Sequence, residues 1–122
     1  MIPPRKTLLN ISCIIIYYKM SKILTEISAG ELLDKISILE IKMSEIKDKN
    51  LLAEIKKEFD ILNNTKKNNI TFSKEVETLC KDLKNNNKEV WDLVDEYRSC
   101  IKNSDFKERF SNLAKEIYMR NE

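Results

Sequence analysis

Trp91, Asp95 and Arg98 stand four and three positions apart in one predicted helix, so they share a stripe on its surface. An indole beside an ion pair suits two tasks. It can stack on a sugar or base while the carboxylate and guanidinium bond polar substituents, or it can anchor a partner protein, since Trp and Arg are enriched in binding hot spots. The plainer account, which the residue types favour, is a core tryptophan flanked by an intrahelical salt bridge worth roughly a few tenths of a kcal/mol. A second set, Asp34, Lys35, Ser37 and Glu40, interleaves with apolar positions of an earlier helix. One or two of these must lie at the edge of the buried region, where a charge needs a partner, and Arg98 or Arg109 is the expected one. Glu31, Asp34, Lys35, Glu40, Trp91, Asp95 and Arg98 together form the candidate binding or structural cluster.

General acid–base chemistry finds little support. Glu31 with Asp34, and Asp92 with Asp95, are carboxylates three apart on one helical face, a spacing that more commonly marks a solvated surface. The chain has no histidine, which removes the commonest base near neutral pH and the commonest transition-metal ligand. Phosphate-binding loops, dinucleotide-binding glycine series, Cys-x-x-Cys pairs and serine elbows are missing, and Gly30 is the one glycine. No catalytic residue, metal or cofactor is assigned, and the balance leans away from an enzyme. The 22 basic and 20 acidic residues are interspersed and leave a charge of +2, so there is no strong signal for nucleic acid.

These side chains must be positioned by helices, because 34% charged and 42% hydrophobic residues with one Gly and two Pro suit amphipathic helices and disfavour an all-β chain. Ser28-Ala29-Gly30-Glu31 is a capping box, and Leu32, Ile36, Leu39, Met43 and Ile46 recur at helical spacing behind it. Ile38 and Ile41 widen that arc, so this first helix is expected to be central. Asp48 or Asn50 caps a second helix ending near Leu62, and Asn63–Asn69 reads as a loop. Ser73 caps a third, Lys74 to Ile101 and roughly 40 Å long, whose stripe runs Val76, Leu79, Leu83, Asn86, Val90, Leu93, Tyr97, Cys100. Asn86 there suggests a kink or a register-setting amide, with a continuous helix preferred. Asn103-Ser104-Asp105 caps a last helix carrying Phe106, Phe110, Leu113 and Ile117. The predicted fold is all-α, a small bundle of about four helices, with residues 20–122 as one domain.

Residues 1–19 fit that domain poorly. Leu8–Tyr18 is apolar and flanked by Arg5, Lys6 and Lys19, but it lacks a cleavage site and is too short to span a bilayer as a helix. Met20 is the expected true start, with a weak membrane anchor as the alternative. Cys13, Cys80 and Cys100 are expected as free thiols, the last two as small core hydrophobes in a reducing, cytoplasmic setting.

The stretches ISAGELLDKISILEIKMSEI, VWDLVDEYRS and FSNLAKEIYMRNE resemble, in that order, a short helical family of bacteria and viruses catalogued as domain of unknown function 6165. The resemblance covers about residues 23–122 and is most specific at GELLDKISILEIK. It implies a start near Met20 and a C-terminus trimmed after Asn121-Glu122, where the family continues into a basic helical segment. It supplies no activity, and a loose association with glycosyltransferase genes inclines the alternative function toward glycans. The expected function is a non-enzymatic helical interaction or assembly module, self-associating as a dimer through its coiled-coil-like stripes or meeting a protein partner. The alternative is an accessory protein or small enzyme of glycan or nucleotide-sugar metabolism that uses the Trp91 stripe.

Overall fold

An α-helix leaves its first amides without intrahelical acceptors, and three of the four helices here begin where a short polar side chain supplies one. The computed structural model describes residues 23–121; the readings made for Met20, Cys13 and the apolar Leu8–Tyr18 stretch lie outside them. The helices are α1 (Ala29–Glu45), α2 (Lys49–Asn69), α3 (Lys74–Lys102) and α4 (Glu108–Arg120), with no strand among the described residues. Ser28 Oγ accepts from the Glu31 amide at 3.1 Å. Asp48 Oδ1 accepts from the amides of Asn50 and Leu51 at 2.9 and 3.1 Å, and Ser73 Oγ from that of Val76 at 3.2 Å.

The fourth start departs from the sequence reading. Asn103-Ser104-Asp105 closes α3 and does not open α4: Ser104 takes φ 53°, its amide donates to the Ile101 carbonyl at 3.1 Å, and the Asp105 amide donates to that of Cys100 at 2.8 Å. That pair of bonds is the Schellman closure, which satisfies carbonyls a helix end would otherwise orphan. α4 then begins at Glu108, two residues past Phe106, with Lys107 as a cap residue that makes no side-chain cap bond. Phe106 is thus outside the helix it was expected to start, 60% exposed, with its edge against Phe110.

α2 also corrects an expectation, since it runs through Asn63–Asn69. The apolar period stops near Leu62 because the last two turns have no core to face, while the backbone stays helical. Thr65 Oγ1 donates to the Ile61 carbonyl at 3.0 Å and Asn69 Nδ2 to that of Thr65 at 2.8 Å. Lys66 and Lys67 occupy the last turn, where cations complement the helix dipole. The connection to α3 is therefore residues 70–73, not a long loop. α3 is continuous across Asn85–Asn87, as the sequence reading preferred.

α1 packs on α2 and on α3, and α3 packs on α4, so α2 and α4 each have one neighbour. The wide apolar arc predicts this central place for α1. Of the buried apolar side chains, Leu32, Ile36, Leu39 and Ile41 belong to α1, whereas Ile55, Cys100 and Leu113 come singly from the other three. Ile41, which widens the arc, is 2% exposed. Cys80 and Cys100 are free thiols.

Candidate functional site

Asp34, Ile38 and Lys42 follow one another at steps of four along α1 and so share a face. Asn87, Trp91 and Asp95 do the same along α3. Where the two rows meet there is a cleft of about 490 Å³, lined by these six together with Arg98, by Ile46, Val90 and Val94 as apolar wall, and by Asn121 at the end of α4.

Asn87 holds the two walls together. Its Nδ2 donates to Asp34 Oδ1 at 2.8 Å and to Ser37 Oγ at 2.7 Å, and the Ser37 hydroxyl donates to the Asp34 carbonyl at 2.7 Å. Ser37 is 5% exposed, so its oxygen depends on these partners. The Asp34 carboxylate, at the edge of the buried region as anticipated, is met by an amide and not by an arginine. A single polar contact between helices of this kind fixes their register. The register-setting amide is Asn87 and not Asn86, one position and about 100° round the helix, because α3 presents to α1 a face rotated from its most apolar stripe.

Trp91 is half-buried, and its Nε1 has no solvent-exposed surface and no acceptor. A buried donor without an acceptor costs about 1–3 kcal/mol. Beside it Arg98 Nη1 lies 3.6 Å from Asp95 Oδ1, with both side chains substantially exposed, a pair worth well under 1 kcal/mol. Asp34, Trp91, Asp95 and Arg98 therefore line one cleft. Glu31, Lys35 and Glu40 do not line it: Glu31 belongs to the N-terminal cap of α1, Lys35 is exposed, and Glu40 pairs with Lys84 of α3 at 2.8 Å. A parallel bridge joins Glu45 to Lys88 at 3.0 Å. Hydrogen bonds to Asp92 and then Glu45 raise the Lys88 pKa above its ordinary value. A lysine thus pairs with Glu40, for which an arginine was expected, and Arg109 instead meets Glu96 at 3.4 Å, joining α3 to α4.

A second, more apolar groove of about 640 Å³ lies between α3 and α4, lined chiefly by Val94, Tyr97, Ile101, Ala114, Ile117 and Tyr118. It shares Val94, Arg98 and Asn121 with the first, so the two adjoin along α3. At the turn end the Tyr97 and Phe110 rings stack at 4.7 Å, and Phe106 meets Phe110 edge-on at 5.2 Å. Among the described residues no group of three or more His, Cys, Asp or Glu could hold a metal ion, and no helix is long and apolar enough to cross a membrane.

The model of a family of unknown function, DUF6165, matches residues 23–122. The chain belongs to this family. The DUF6165 match takes in all four helices and both cavities. No curated protein and no solved structure matches the chain.

Asn87, Lys42 and Asn121 are the polar lining residues that sequence reasoning passed over. Lys42 had a visible signal, two turns beyond Asp34 on the same face. Asn87 had none beyond belonging to an asparagine run, and Asn121 lines the cleft only because α4 folds back along α3.

Proposed function

We propose that this DUF6165 protein is a non-enzymatic helical assembly module that pairs through the face formed by α3 and α4. The observation that carries this reading is the apolar groove on that face, where Ile101 and Tyr118 are 47% and 63% exposed. Contiguous exposed apolar surface on a small domain marks an interaction site more often than scattered single residues do. The core leaves such surface over, since α3 and α4 each contribute one buried apolar side chain, Cys100 and Leu113. A second copy suits the face. Arg98 lines the groove and pairs with Asp95 beside it, so a twofold axis can set either sign of one copy against its opposite in the other. Sedimentation of the full chain across a concentration series tests the reading: a dimer that Tyr118→Glu dissociates supports it, and a monomer at every concentration overturns it.

A second reading is favoured by the cleft between α1 and α3, which Trp91, Asp95 and Arg98 line together: it takes a small polar ligand. The aromatic and ionic residues of the stripe make a glycan or nucleotide sugar its first candidate. The fluorescence of Trp91, the single tryptophan of the chain, tests this. A saturable change with a sugar or nucleotide sugar supports the sugar reading, and no change with any of them removes it.

A further inference from the structure

The four helices form two hairpins, α1–α2 and α3–α4, that meet at one junction. α2 packs on α1 alone and α4 on α3 alone, so the hairpins are joined by the packing of α1 on α3. Bonds across that junction run from Lys84 to Glu40, from Asn87 to Asp34 and Ser37, and from Lys88 to Glu45. Beside them the two helices stand apart around the cleft of about 490 Å³, so their apolar packing is incomplete.

The chain passes between the hairpins through residues 70–73. Ile70 closes α2, its amide donating to the Lys66 carbonyl at 2.9 Å, and Ser73 opens α3 as its cap. Thr71 and Phe72 are the two residues left between these caps, and both are exposed. Their backbone can turn without breaking either helix end.

Two hairpins held by one junction and a short hinge can satisfy that junction in two ways. In the closed chain α3 returns to α1 of its own copy. With Thr71 and Phe72 opened out, the α3–α4 hairpin reaches α1 of a second copy, and every bond of the junction is remade because both copies carry the same residues. The surroundings of the hinge favour the open form. Ile61 on α2, Phe72 in the connection and Leu79 on α3 are 58%, 49% and 66% exposed in the single chain. Exchange brings two hinges together about a twofold axis, where apolar side chains of one copy can cover those of the other. A connection this short adds to the tendency, since short hinges are the ones that invite exchange.

We propose that this chain exchanges its α3–α4 hairpin with a second copy, giving a domain-swapped dimer. Its hinge is Thr71 and Phe72, and its junction sets Lys84, Asn87 and Lys88 of each copy on α1 of the other. This goes beyond pairing through the α3–α4 groove, which uses a different surface. The two also differ in kinetics: groove pairing reverses on dilution, whereas exchange first requires the junction to open.

The test uses equal amounts of ¹⁵N-labelled and unlabelled full chain, both carrying Tyr118→Glu to remove groove pairing. They are mixed in urea, refolded together at high concentration and separated by size. A zero-length carbodiimide then joins lysine to carboxylate where the two touch, and the linked peptides are weighed. The expected result is a dimer that persists on dilution. About half of its Glu40–Lys84 and Glu45–Lys88 links should join a labelled to an unlabelled peptide, as random mixing of two chain populations requires. Lys88–Asp92 and Lys56–Asp60 links, each within one helix, should stay of one isotope and give the background. Inserting Gly-Ser-Gly-Ser between Thr71 and Phe72 frees the hairpin to fold back and should lower the dimer fraction roughly severalfold. Refolding to monomer alone overturns the proposal, as does a dimer whose α1–α3 links are all of one isotope. A mixed-isotope dimer that the insertion leaves undiminished overturns the hinge.

Discussion

Replacing Asn87 by alanine separates its role from that of its neighbours in the asparagine run. The substitution deletes hydrogen bonds of 2.8 Å to Asp34 and 2.7 Å to the buried Ser37. The bond to a carboxylate would be worth up to about 3 kcal/mol if fully buried, but Asp34 is half-exposed and can regain water, so about 1.5 kcal/mol is appropriate. The Ser37 bond adds about 1 kcal/mol. Alanine returns about 0.6 kcal/mol through its better helix propensity. The net loss is about 2 kcal/mol, or a melting temperature lower by roughly 8–16 °C for a domain of this size. Asn85→Ala makes the same chemical change at an exposed position of the same helix and keeps only the propensity gain, so it should stabilise by about 0.6 kcal/mol. Urea denaturation followed by helical circular dichroism measures both. Opposite signs are expected, and an Asn87→Ala protein as stable as Asn85→Ala would refute the role given to the network.

Other substitutions test the fold element by element. Gly30→Ala places a Cβ with nothing within 4 Å of it, near the start of α1, and should stabilise by about 0.5–1 kcal/mol in the same denaturation assay. Ser104→Gly relieves a left-handed residue at the α3 closure and should add about 1 kcal/mol, whereas Ser104→Val should lower stability. Ile41→Ala, at 2% exposure, should cost about 2–5 kcal/mol, while Ile101→Ala, at 47%, should cost under about 1 kcal/mol in the monomer and act on association instead. Lys88 has a folded-state pKa raised by Asp92 and then Glu45, so its contribution is complete below the unfolded lysine pKa and is lost as pH rises through the raised value. A Lys88→Met protein should therefore lose part of the alkaline decline in stability that the parent shows, and an identical decline in both would remove the link.

Much of the fold is legible in the sequence because caps and apolar periods are local. Ser28, Asp48 and Ser73 each name a helix start with one side chain and one amide. The misread elements are those where the signal is not local. The polar tail of α2 has no apolar period because no other helix covers it, and periodicity reports burial before it reports backbone. Asn103-Ser104-Asp105 carries residue types that suit a helix start, a turn or a helix end alike, and only the left-handed backbone at Ser104 decides among them. The cleft was half legible for a similar reason. The stripe Trp91, Asp95, Arg98 follows from spacing within one helix, but its meeting with Asp34 and Lys42 depends on how α3 is rotated on α1. Glu40 is one of the four residues among which a partnered charge is expected, and Lys84 of α3 is its partner where an arginine was expected.

The most direct test of the assembly reading is cross-linking from a photoreactive residue placed at Tyr118, in a mixture of ¹⁵N-labelled and unlabelled full-length chain. The reading predicts mixed-isotope cross-links from position 118 to residues of the α3–α4 face of the other copy, absent when the reactive residue stands instead at exposed Glu54 of α2. Cross-links confined within one chain, or equally frequent from both positions, would contradict it.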